Sequence, residues 1–132
     1  MAYQIKKKKH IIKQLELLND KGKPEKTLSI DIVVDDFRNR YPSVMADIRK
    51  AQSMIDEKGQ DNVEAIAASQ IAIKALFVLV FGQQQTKTLI EYYENRYFEG
   101  FMDIIPFVTD EIMPEVQKAV NEENARISSI MQ

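Results

Sequence analysis

The apolar residues in the first third of the chain recur with a period of two. Leu28, Ile30 and Ile32 alternate with a serine and an aspartate, which is the spacing of a strand with one buried face. The preceding segment supplies a partner strand across a polar turn at 19–26. The alternating positions of that strand are Lys13, Leu15 and Leu17. The pattern predicts an antiparallel β-hairpin.

A helix over Lys7–Asn19 is the competing interpretation of the same segment. The apolar residues that fit one helical face are Ile11, Ile12, Leu15 and Leu18. The turn favours the hairpin, because Gly22 allows a positive φ and Pro24 stops a helix from continuing. From the sequence, whether residues 7–19 form a strand or a helix stays open.

From Asp35 onward the apolar period changes to about 3.6, which indicates a helix. Asp35 or Asp36 can cap its start, and Gly59 fits its end. Pro42 lies inside the pattern, where it either starts a second helix or kinks one long helix. The apolar positions on this face are Phe37, Tyr41, Val44, Met45, Ile48, Met54 and Ile55.

The next predicted helix begins at a capping-box-like sequence, Asp61 to Glu64, and ends at Gly82. Its second half, Ala75–Phe81, is apolar on all sides, so we expect it to be the central buried element or half of an interface. The same run is the longest apolar run in the chain and is far shorter than the roughly 18 residues that suggest a membrane span. We expect neither a signal peptide nor membrane association.

Further helices joined at bends are predicted for the rest of the chain. Thr86 can cap one helix, Gly100 marks a break, and Pro106 and Pro114 interrupt the pattern that follows. The sequence therefore predicts a mainly α fold, a helical domain of about four to five helices with a short N-terminal β-hairpin.

The net charge of −2 conceals two oppositely charged segments. Residues 1–26 carry eight lysines and three acidic residues, a charge of +5, whereas residues 27–132 carry ten basic and seventeen acidic residues, a charge of −7. We expect one domain over 1–132, with a basic arm and hairpin over 1–34 and a helical body over 35–132.

The composition excludes several kinds of site. The chain has no Cys and one His, His10, which excludes thiol catalysis, Cys-based zinc sites and a His-rich metal cage. Glu91 and Glu94 share a helix face, as do three acidic residues of 110–115. A solvated helix face explains both sets, and no nucleophile or phosphate-binding motif accompanies them. We expect no enzymatic activity, no metal and no cofactor.

The N-terminal lysines are a candidate binding segment. Lys6, Lys7, Lys8 and Lys9 are consecutive and could contact a phosphate backbone. A nucleic-acid-binding arm usually belongs to a basic domain, and here the body is acidic. We therefore expect these residues to act in self-association, by docking on the acidic body of a neighbouring copy. The alternative is a small nucleic-acid-associated regulatory protein that uses this lysine arm.

An aromatic and methionine-rich cluster follows the apolar helix. Tyr92 and Tyr93 are adjacent, as are Tyr97 and Phe98, so one helix face cannot bury all four rings. Tyrosine and methionine are common where a protein grips an apolar helix or a second copy of itself. We therefore predict a partner-binding groove. Its candidate residues are Phe77, Phe81, Tyr93, Tyr97, Phe101 and Met102.

The segment from Phe81 to Tyr97, followed by Ile105–Val108 and Ile112–Pro114, resembles small tail-assembly proteins of siphophages that infect Gram-positive bacteria. The resemblance covers roughly residues 28–120 as a pattern of apolar and turn residues. It implies a bacteriophage tail-assembly chaperone, a non-enzymatic homo-oligomer in the host-cell cytoplasm. The implied partner is the tape-measure protein or another hydrophobic helical protein, which the chaperone coats during virion assembly.

Overall fold

The computed structural model describes residues 1–5 and 9–132. The two strands of an antiparallel sheet are β1 (His10–Leu18) and β2 (Pro24–Val33). The α-helices are α1 (Val34–Lys58), α2 (Val63–Tyr92), α3 (Tyr97–Phe107) and α4 (Met113–Met131). A π-helical turn, Val108–Ile112, joins α3 to α4 without interruption.

The N-terminal hairpin predicted from the sequence is confirmed. Lys13 lies opposite Ile30 and Leu15 lies opposite Leu28, as the two alternating patterns require. Gly22 occupies the turn with a φ of 76°, a conformation that glycine adopts without strain. The competing helix is wrong, because both apolar patterns bury one face of the sheet.

A single apolar core joins the hairpin to the helices. Leu28, Ile30 and Ile32 of β2 are buried together with Leu76 and Phe77 of α2. The core continues into the π-helical turn and α4. The apolar half of α2 is thus a central element, covered by the hairpin, α1 and α3.

By length and composition, α2 could also cross a membrane. Its most apolar 18-residue window has a mean hydropathy of 2.0, and 44% of that window is buried inside the fold. The uninterrupted run Ala75–Phe81 is shorter than the apolar part of α2, because apolar residues also predominate outside that run. In the structure, α2 serves as the core helix of the domain.

The mainly α fold class is confirmed, but the number of about four to five helices is wrong. The helical residues described here form three continuous segments: α1, α2, and α3 with the π-helical turn and α4. Pro42 lies inside α1 without ending it. Gly82, where the sequence predicted a helix end, is non-helical, with a φ of 81° and a ψ of 166°, so α2 consists of two helical parts that meet at a kink there.

The two later prolines are also accommodated within one helical segment. Pro106 lies in the last turn of α3, and the π-helical turn that follows absorbs the irregular hydrogen-bonding that a proline imposes. Pro114 lies in the first turn of α4, directly after the π-helical turn, and has no N–H to donate to that turn. Neither proline therefore interrupts this helical segment.

Three predicted helix caps are displaced. Helix α1 begins at Val34, so Asp35 and Asp36 lie in its first turn and do not cap it. Asn62, one residue after Asp61, caps α2, because its side-chain oxygen accepts a hydrogen bond from the N–H of Ala65 at 3.0 Å. Thr86 caps no helix. It is buried within α2, and its hydroxyl donates to the carbonyl of Gly82 at 2.7 Å, which stabilises the backbone at the kink.

Gly100 does not break a helix; it lies inside α3 under an aromatic ring. A β-carbon at this position would lie 3.0 Å from Cδ2 of Tyr93 and 3.3 Å from Cζ of Phe77. The Tyr93 hydroxyl donates to the carboxylate of Asp103 at 2.9 Å. Burial first, and then this hydrogen bond, raise the pKa of Tyr93 well above its ordinary value. The contact joins α3 closely to the end of α2.

Gly100→Ala should destabilise the protein. The added methyl group would press on the Tyr93 ring, and overpacking costs about 1–3 kcal/mol, more than the gain of up to about 1 kcal/mol from the helix propensity of alanine. We expect urea denaturation to show a net loss of about 1 kcal/mol. In a Tyr93→Leu background the same substitution should be stabilising. An equal loss in both backgrounds would contradict the role of this ring.

The free energy of unfolding should fall as the pH rises above about 10. Because the pKa of Tyr93 is raised in the folded state, its contribution is fully present below the unfolded pKa and is lost as the unfolded-state phenol ionises. Tyr93→Phe should make this decline shallower in urea denaturation between about pH 8 and 11. Lysine ionisation affects both proteins alike, so identical slopes would count against the prediction.

Candidate functional site

Three of the six predicted partner-binding residues are core residues. Phe77 and Phe81, one turn apart on α2, are buried, and Tyr93 is buried beneath α3. Their rings offer no accessible surface to a partner, which corrects the expectation from the sequence. The physical reason is that α2 lies at the centre of the core and is covered on several sides.

The other candidates lie on α3, which presents an exposed apolar strip. Phe98 and Met102 expose 43% and 67% of their surface, and Phe101 and Ile105 on the same face are half-buried. Tyr97, the remaining candidate, is half-buried. Phe98 was absent from the candidate list. Its adjacency to Tyr97 could have predicted its exposure, since neighbouring rings on a helix face different directions.

An open groove runs between α1 and α3 beside this strip. We define the α1–α3 groove by the residues that line it: Ile48, Gln52, Ile55, Gln60, Ser69, Ile73, Phe98 and Phe101. Its larger part encloses about 350 Å³. The polar side chains include two glutamines, whose amides can hydrogen-bond to a ligand. Apolar walls with a few amides suit the apolar face of a helix.

A second surface depression, the acidic cleft, lies beside the hairpin turn. It encloses about 490 Å³. Its charged residues are Asp20, Glu25, Glu91, Glu94, Arg96, Glu99 and Asp103. Arg96 hydrogen-bonds to Glu99 and Glu94 at 2.6 and 2.9 Å, and these bonds raise its pKa. Six carboxylates around one guanidinium leave the cleft negatively charged.

Three of the five carboxylates considered as acid–base groups form ion pairs, whereas Glu91 and Asp110 form none among the described residues. Glu94 pairs with Arg96, while Glu111 and Glu115 lie 3.6 and 3.3 Å from Nζ of Lys13. Among the described residues, no group of three His, Cys, Asp or Glu side chains is arranged to hold a metal ion. His10 hydrogen-bonds through Nδ1 to Asp31 on the neighbouring strand. Glu94, Glu111, Glu115 and His10 thus each have a charged or hydrogen-bonding partner within the fold.

The lysine segment is described in part. Lys6, Lys7 and Lys8 lie outside the described residues. Lys9 is exposed, and its carbonyl accepts a hydrogen bond from the N–H of Val34 at 3.0 Å. This bond continues the hairpin ladder by one pair beyond His10. The role of the four lysines in self-association stays a prediction.

Comparison with known proteins adds no assignment to these surfaces. No protein-family model, no curated protein and no solved structure matches this chain. The interpretation of the groove and the cleft therefore depends on their own residues.

Proposed function

We propose that this protein is a non-enzymatic bacteriophage tail-assembly chaperone that self-associates and binds hydrophobic helices of a tape-measure protein in the host-cell cytoplasm. The observation that carries the proposal is the α1–α3 groove with the exposed Phe98 and Met102 at its side. The resemblance of residues 28–120 to siphophage tail-assembly proteins supplies the identity of the partner.

The groove meets the physical requirements for holding a helix. Large exposed apolar groups that adjoin one another indicate an interaction surface more often than isolated ones do. Phe98 offers a ring to an apolar stripe, and Met102 can adapt its shape to different side chains. Such adaptability suits a partner whose successive turns present different residues, as a long tape-measure helix does.

Self-association follows from the length of such a partner. One groove can hold a short section of helix, so a single copy would bind weakly. Copies that contact one another along the helix bind with a high effective concentration, and the array then holds its partner far more tightly than one groove does. The homo-oligomer is thus part of the proposed function.

The nucleic-acid alternative stays a prediction. Lys13 contributes little free charge to it, because its ammonium group lies between Glu111 and Glu115. The hairpin turn carries Lys21, Lys23 and Lys26, but the adjoining acidic cleft, with six carboxylates and one arginine, would repel a phosphate backbone that approached it. A nucleic-acid complex would weaken steeply with salt, whereas binding to an apolar helix would not.

Phe98→Asp should reduce binding to tape-measure helices. Removing an anchor ring at the centre of an interface costs about 2 kcal/mol or more, which is roughly a thirtyfold loss of affinity. The test is co-expression with the tape-measure protein of the phage that encodes this chain, measuring the soluble fraction of that protein. Met102→Asp should have the same effect.

Ile71→Asp is the matched control for these variants. Ile71 is 71% exposed on α2 and does not line the α1–α3 groove, so its replacement should leave the tape-measure protein soluble. Equal effects of all three substitutions would contradict a specific groove. An insoluble tape-measure protein in the presence of the wild-type chain would overturn the proposed function.

A further inference from the structure

The outer edge of β1 carries backbone groups without partners in the described residues. In the pair Gln14–Ser29, both backbone groups of Ser29 bond to the side chain of Gln85 and not to β1. The N–H and C=O of Gln14 therefore point away from β2, and those of Ile12 and Glu16 do so by the two-residue alternation of a strand. Within residues 1–5 and 9–132, no hydrogen bond reaches these groups.

The outer edge of β2 differs, because a side chain closes it. The N–H of Ser29 donates to Oε1 of Gln85 at 2.8 Å, and Nε2 of Gln85 donates to the Ser29 carbonyl. Gln85 also donates to the carbonyl of Phe81 on its own helix at 2.9 Å, which fixes its position. A further strand could not pair at Ser29 without displacing this side chain, so β1 offers the accessible edge.

We propose that β1 pairs antiparallel with β1 of a second copy, forming a four-stranded sheet across a two-fold axis. The inference rests on the self-association in the proposed function and names the surface that performs it. In the register we propose, Ile12 lies opposite the partner's Gln14, and His10 lies opposite the partner's Glu16. Ile12, which exposes 73% of its surface, would gain a neighbouring strand at its side.

Charge complementarity selects the antiparallel arrangement. The N-terminal end of β1 carries Lys9 and His10 and is preceded in sequence by three more lysines. The C-terminal end of β1 leads from Glu16 to Asp20 at the acidic cleft, whose six carboxylates outnumber Arg96 and the turn lysines Lys21 and Lys23. Antiparallel pairing places the basic end of each strand beside the acidic end of the other, twice in a two-fold dimer. Parallel pairing would place like charges together.

Lys13 is the residue that would resist such a pairing. An inward-pointing lysine on an edge strand commonly prevents the addition of another strand. In the proposed register, each Lys13 lies opposite the partner's Lys13. Here each ammonium group is already placed beside Glu111 and Glu115, so two lysines would meet amid four carboxylates. The repulsion between them is thereby offset.

Cysteine pairs test the register directly, because the natural chain contains no Cys. An Ile12→Cys chain mixed with a Gln14→Cys chain should form a mixed disulfide, since directly opposed residues have Cα atoms about 5.5 Å apart, inside the disulfide range. Like chains would be offset by two residues, about 7–8 Å apart. We expect at least about fivefold more mixed than like disulfide by mass spectrometry after mild oxidation.

Thr27→Cys is the matched control, because Thr27 is also exposed but belongs to β2. It should give little covalent dimer. A second pair of variants tests the backbone: Gln14→Pro removes an outward N–H that the hairpin does not use and should weaken self-association about tenfold or more in sedimentation analysis, whereas Thr27→Pro on the other edge should not.

The outcomes separate this inference from the proposed function. The pairing of β1 edges would be overturned if the Gln14→Pro variant associated as strongly as the wild-type chain. It would also be overturned if the mixed disulfide formed no more than the disulfide of the Thr27→Cys control. If the chain still oligomerised and kept the tape-measure protein soluble, the proposed function would stand without it. A mixed disulfide with an insoluble tape-measure protein would support the pairing and reject the chaperone.

Discussion

The burial of α2 is the constraint on which the rest of the structure depends. Its apolar half offers no polar face to water, so it must be covered on several sides at once. The hairpin supplies one cover through Leu28, Ile30 and Ile32, while α1 and α3 supply others. Each covering element therefore packs one face against α2, and its other face is exposed and can contact a partner.

The surfaces with functional potential arise where this cover is incomplete. Beyond Ser69 and Ile73 on α2, the walls of α1 and α3 stay apart and leave the α1–α3 groove. At the other end of α2, the close packing of Tyr93 on Gly100 turns the chain sharply into α3. The acidic cleft forms at that turn, beside the hairpin, so the core packing fixes the positions of both surfaces.

The sequence predicted those features that depend on local periodicity. The hairpin followed from the alternation at Leu28, Ile30 and Ile32, because a period of two has no helical equivalent. The sequence predicted the interruption at Gly82, where two helical parts of α2 meet, but it could not predict that they would form one kinked element, since that depends on tertiary contacts. Three of the six predicted groove residues, Phe77, Phe81 and Tyr93, are buried for a related reason. Residue type does not say which ring faces inward, and Phe77 and Phe98 differ only in their surroundings.

The proposed pairing of β1 edges would bring the lysine-rich arm of one copy towards the acidic cleft of another. Arg96 neutralises part of the charge at the cleft through Glu94 and Glu99, but the remaining carboxylates have no such partner in the described cleft. A basic segment of a neighbouring copy would balance this excess, and the open edge of β1 would hold that copy in register. Backbone pairing would then fix the relative orientation of the two copies, and charge would favour a second copy as the partner. The α1–α3 groove would stay accessible to an apolar helix.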